Sequence, residues 1–100
     1  MIEMRIDEAR WQQLDIRQQI GHITSEIARA KHWEEKKDAA GRNQALGRAL
    51  DLLDKTLKYC AAARRHEIAR FREVTAHCYV QSPEYDILLE DLESYGLSHL

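Results

Sequence analysis

The sequence predicts an all-α protein, a small antiparallel up-down bundle of about four helices. Three observations carry that prediction. The 100-residue chain has four Gly and one Pro, too little turn chemistry for a multi-stranded fold. Ala, Leu, Arg, Glu, Gln and Lys, the strong helix formers, are abundant instead. Apolar residues recur at spacings of three and four, the period of an amphipathic helix. One hundred residues build one core and no second one, so residues 1–100 read as a single helical-bundle domain. Residues 1–10 are weakly patterned and are expected to be ordered only by docking.

The first helix is announced by Asp15, with Gln18 three places on in a capping-box arrangement. Nothing in "DEARWQQL" forbids a start one or two turns earlier. Ile16, Ile20, Ile23, Ile27 and Ala30 then form a narrow apolar seam, and the helix is expected to run to about Lys37 with a turn around Gly41. Trp11, with Leu14, is expected to pack the start of this helix onto the bundle. Trp33 lies about 60° around the helix from Ala30 and is expected to close the end of the core. The other reading of Trp33 is a half-exposed partner anchor, a role tryptophan often fills.

The second helix carries Leu46, Leu50, Leu53 and Leu57 on one stripe, with Ala45 and Ala49 beside it. Extending that stripe past Cys60 lands on Arg64 and Glu67, two charges in the seam. A fresh seam begins at Ile68 and continues through Phe71, Thr75 and Cys78. The broken phase predicts a turn at residues 60–65 and a third helix beyond it. In the last helix Ser82 is a good N-cap, Pro83 suits the first helical position and Glu84 favours the positive end. Tyr85, Leu88, Leu89, Leu92 and Tyr95 form its expected apolar face, and Gly96 its expected terminator. The stretch "AAGRNQALGRALDLL" resembles a tetratricopeptide helix, but one copy cannot bury its own face.

Net charge is −2 with a pI near 6.2, so no global basic field recruits nucleic acid. Charge is nevertheless segregated. Lys58, Arg64, Arg65, Arg70 and Arg72 gather in one segment, and Glu84, Asp86, Glu90, Asp91 and Glu93 in another. These are expected to be solvated faces that attract each other within the bundle or across a dimer. The residues read as partner-binding are therefore Trp33, Arg64, Arg65, Arg70, Glu90 and Asp91. Cys60 and Cys78 have no metal-type spacing and fall at apolar-stripe positions. "MIEMRIDEAR" has no signal-peptide core and no apolar run approaches a membrane span, so a reduced cytoplasmic protein is expected.

The stretch with the most chemistry is "RFREVTAHCYV". Arg72, His77 and Tyr79 resemble the R-x4-H signature of HEPN-domain ribonucleases in the form where Tyr follows His. That resemblance implies an α-helical dimer cutting RNA without metal, with His77 as acid or base and Arg72 on the phosphate. The roles suit imidazole and guanidinium chemistry. Against it, ten Arg and five His should produce one or two R-x4–6-H spacings by chance, and Arg17 to His22 and Arg70 to His77 are two more. Residues five apart also diverge by about 140° on a regular helix. Glu73, directly after Arg72, brings a carboxylate to any phosphate site. The pairs Glu73–His77 and His22–Glu26 read as surface support rather than metal ligands. No metal or cofactor is implied.

The stretches "WQQLDIRQQIGHITSEIARA", "RNQALGRALDLLDKTL" and "EIARFREVTAHCY" resemble small uncharacterised bacterial helical-bundle proteins. The resemblance implies a bundle and assigns no activity. The preferred expectation is a non-enzymatic protein-binding or accessory module, a homodimer, of the kind a phage or mobile element carries. The alternative is a HEPN-like ribonuclease or its inactive relative, with RNA as its partner.

Overall fold

A computed structural model describes residues 7–81 and 87–99. Every regular element among them is a helix: α1 (Glu8–Gln13), α2 (Ile16–Glu35), α3 (Ala39–Tyr59), α4 (Ala62–Val80) and α5 (Leu89–His99). They form a plate of 36 × 34 × 19 Å. Helix α2 packs on α3 and α5, α3 also packs on α4, and α1 lies on α3. None of these helices is long and apolar enough to cross a membrane.

The described residues hold five helices rather than the expected four, because the chain breaks before the first long helix instead of extending it backwards. Leu14 is extended, and Asp15 caps α2. The Asp15 carboxylate accepts from the Gln18 amide at 2.8 Å, and the Gln18 side chain accepts from the Asp15 amide at 2.9 Å. That reciprocal box satisfies two orphan groups and fixes the start. The deep anchor of the short α1 is a single residue. Trp11 is fully buried, its Nε1 donates to Thr56 Oγ1 at 3.0 Å, and its carbonyl accepts from Gln19 Nε2 at 2.8 Å. Tryptophan suits this place, with a large apolar body and one donor that has a partner.

The α2 seam is inside as expected: Ile20, Ile23, Ile27 and Ala30 are buried, with Ile16 at the edge. On α3 the stripe is turned by about one residue. Ala45, Leu46, Ala49 and Leu53 are buried, but so are Leu52 and Thr56, while Leu50 and Leu57 are half-buried. The hydrogen bond from Trp11 makes Thr56 a core residue, which apolar counting misses.

Two glycines correct the sequence reading. Gly41 is not in the turn, which lies at 36–38 with Lys37 at φ 59°. Gly41 sits in the first turn of α3, its amide donating to the Asp38 cap at 2.9 Å. A Cβ there would stand 2.8 Å from Trp33 Cγ, so the missing side chain makes room for the indole. Gly96 does not terminate the last helix either. A Cβ would lie 2.7 Å from Thr24 Cγ2 and 2.8 Å from Phe71 Cζ, so this glycine lets α5 close on the core.

The break between α3 and α4 falls at Cys60 and Ala61, inside the expected interval, and Ile68, Phe71, Thr75 and Cys78 are all buried. Leu89 and Leu92 are buried on α5 and Tyr95 packs against Phe71, with ring centroids 5.7 Å apart. Leu88 departs from the expected apolar face: it precedes the helix and is 59% exposed. The proposed cap at Ser82, Pro83 and Glu84, and Tyr85 with it, lie outside the described residues.

Candidate functional site

Helix α4 is unbroken from Ala62 to Val80, and its core-facing residues set the direction of the rest. Thr75 Oγ1 donates to the Phe71 carbonyl at 2.8 Å, which satisfies the buried hydroxyl within the helix. Arg72 reaches across to α3, with Nε 2.7 Å from Asp54 Oδ1 and Nη2 3.5 Å from Oδ2. That bond raises the guanidinium pKa further above its ordinary value. Arg72 is thus engaged in joining two helices. Residues five apart on a continuous helix diverge by about 140°, so the helix turns His77, which is half-buried, away from Arg72. Tyr79 is exposed. Glu73 pairs with Arg70 at 3.6 Å.

Two polar clusters escaped the sequence reading. Arg42 is buried although charged: its Nε donates to Glu34 at 3.0 Å, Nη1 to Asn43 Oδ1 at 3.1 Å and Nη2 to the Cys78 carbonyl at 2.9 Å. It joins the ends of α2 and α4 to the start of α3. The same region is dry enough that burial pushes the Cys78 thiol pKa up. Second, the expected surface pair His22–Glu26 is not what forms. Glu26 is buried, taking Arg48 Nε of α3 at 3.1 Å and Arg29 Nη1 at 3.1 Å. His22 instead stands beside the Trp11 ring, 5.7 Å between centroids. The only sequence hint was Glu26's place three residues after Ile23, on the buried side of α2.

His22, Glu26, Arg29 and Arg48 line an open groove of about 1170 Å³ between α1, α2 and α3, with Arg10, Asp51 and Lys55 on its walls. Cations and carboxylates share its walls, and Glu26 already engages Arg29 and Arg48. Among the described residues no three His, Cys, Asp or Glu side chains gather as metal ligands would.

The residues read as partner-binding fall at separate places. Trp33 is 36% exposed, capped on one face by Gly41 and at its edge by His32, centroids 5.1 Å apart. The core position expected for it is not adopted, because the adjacent α3 start presents only a glycine to cover it. Arg64, Arg65 and Arg70 lie on the first half of α4, where residues 61–67 form an exposed run. Arg64 and Arg65 make no ion pair with another described residue. Glu90 and Asp91 are exposed in the first turn of α5.

The basic and acidic segments do not neutralise each other within the bundle among the described residues. Lys58 pairs with Glu8 at 3.3 Å, Arg72 with Asp54 and Arg70 with Glu73. From the acidic side, Glu93 takes Lys31 of α2 at 3.0 Å. Hydrogen bonding to Glu93, with Glu90 and Glu35 nearby, holds that ammonium pKa above its ordinary value. Among the described residues, these side chains pair with other neighbours instead, Arg70 within its own helix. Compared with known proteins, the chain matches no family model, no curated protein and no solved structure.

Proposed function

We propose that the chain is a non-enzymatic helical module that acts by binding protein, working as a homodimer and accessory factor. The observation that carries this reading is the exposed first half of α4, where residues 61–67, Arg64 and Arg65 among them, are all exposed. A surface helix that spends nearly two turns on solvent, with cations that pair with no other described residue, has the character of a contact surface. An antiparallel up-down course for the long helices fits the short connections at 36–38 and at Cys60–Ala61.

The ribonuclease alternative is disfavoured by the engagement of Arg72 with Asp54 and by the unbroken turn of α4 between Arg72 and His77. The experiment is direct. Purified chain incubated with RNA in EDTA should leave it intact, and sedimentation should show self-association. Cleavage giving 2′,3′-cyclic phosphate ends, abolished by both Arg72→Ala and His77→Ala with the fold unchanged, overturns the reading.

A further inference from the structure

We propose that α1 is an exchangeable strap, which swings out to continue α2 and seats Trp11 in the slot of a second copy. The inference rests on the homodimer reading above and names its contact. The slot shows its own occupant. Trp11 is fully buried against α2 and α3, with Nε1 donating to Thr56 Oγ1 at 3.0 Å and its carbonyl accepting from Gln19 Nε2 at 2.8 Å. Gln19 and Thr56 are themselves buried, so vacating the slot leaves both side chains short of partners. The α1 of a second copy brings the same indole N–H and the same carbonyl.

The hinge is short, and the chain around it favours helix. Leu14 is extended at ψ 141°, and Asp15 turns the chain into α2 through its box with Gln18. From Glu8 to Ile20 the sequence has no Gly or Pro, and Ala9, Arg10, Gln12, Gln13 and Leu14 are good helix formers. The competing form is therefore one helix from Glu8 to Glu35. It gives the amides of Ile16 and Arg17, in the first turn of α2, the carbonyls of Gln12 and Gln13, and it gives up the box. Trp11 then lies about 140° around the helix from Ile16, turned away from the core of its own chain. Two such helices related by a two-fold axis fill both slots, each copy completing the other. The slot makes the same bonds in both forms, so the hinge and the protein concentration decide between them.

Sedimentation equilibrium of the full chain tests this with two substitutions of opposite sense. Ile16→Pro places proline at the first position of α2, after Asp15 already extended at φ −73° and ψ 170°. The bent form accepts it, whereas a continuous helix would carry it in its interior. Because Ile16 lies at the edge of the core, the helical circular dichroism should persist. The dimer dissociation constant should rise at least about tenfold. Asp15→Ala removes the box that holds the bend and should tighten the dimer about tenfold, since each dimer straightens two hinges. A dimer indifferent to both substitutions overturns the strap while leaving the homodimer standing. A dimer weakened alike by both also overturns it, because the start of α2 would then matter for packing and not as a hinge. A chain monomeric at every concentration overturns the strap and the homodimer together.

Discussion

Helices α2 and α4 are nearly equal in length, 20 and 19 residues, yet they are held in different ways. The buried residues of α2 run from Gln19 to Ala30, and its start is locked by a capping box. Those of α4 begin only at Ile68, and its N-cap, Ala61, offers no side-chain bond. Core contact thus stabilises α2 along most of its length but α4 only over its second half. The first half of α4 is helical because "AAARRHE" is rich in residues that favour helix unaided, above all alanine. A short helix without packing is marginal in water, so this arm depends on continuity with the packed turns that follow. Burial fixes one region, and propensity maintains the other.

The most severe way to break the comparison is to remove what holds the second half of α4. Phe71 is fully buried, touches the Gly96 approach of α5 and packs against Tyr95. Phe71→Ala should cost about 3–5 kcal/mol, the range for large-to-small changes in cores. Urea unfolding followed by circular dichroism checks this. A loss below about 1 kcal/mol would mean that α4 is not anchored through this ring.

A smaller effect contrasts two arginines at opposite extremes. Arg42→Ala leaves the Cys78 carbonyl with only the long bond from the Gln81 amide, 3.3 Å, removes three buried or half-buried side-chain bonds and should cost about 1–3 kcal/mol. Arg65→Ala removes an exposed side chain that pairs with no other described residue and should change stability by no more than about 0.5 kcal/mol. Measured on monomeric protein, so that association does not enter, equal losses from the two would erase the distinction between lock and arm.

Much of this difference was legible in the sequence. The apolar seam of α2, the phase break near residue 60 and the run Ile68, Phe71, Thr75, Cys78 all follow from helical periodicity, and each occurs. What escaped has a common physical origin. Gly41 and Gly96 look like punctuation in one dimension, but each is small because another helix's aromatic ring comes close in three. Thr56, Glu26 and Arg42 are polar residues buried by partners 45, 22 and 36 positions away, and periodicity carries no information about such pairings. The motif Arg72, His77 and Tyr79 was visible as a spacing. The engagement of Arg72 by Asp54 was not, because it depends on how α3 and α4 lie together.

The mildest test concerns the short α1, which resembles the arm in having little burial but differs in having a single deep anchor. Besides Trp11, its hold on α3 is Glu8, whose Oε2 accepts from Tyr59 Oη at 2.6 Å and from Lys58 Nζ at 3.3 Å. The tyrosine bond first, and then the lysine, lower the Glu8 carboxyl pKa below its ordinary 4.5. A carboxyl lowered in the folded state contributes its stabilisation above the unfolded value and loses it as pH falls through the lowered one. Docking of α1 should therefore be full near neutrality and loosen under acid, beginning just below pH 4.5. The contact is exposed, so the change should be small and sensitive to salt. Trp11 fluorescence in a Trp33→Phe background reports it, because Trp11 is fully buried only while α1 is docked. Tyr59→Phe removes the larger cause of the shift and should move the loosening towards higher pH. An acid transition unmoved by Tyr59→Phe would mean that Trp11 alone holds α1, as the core holds α2.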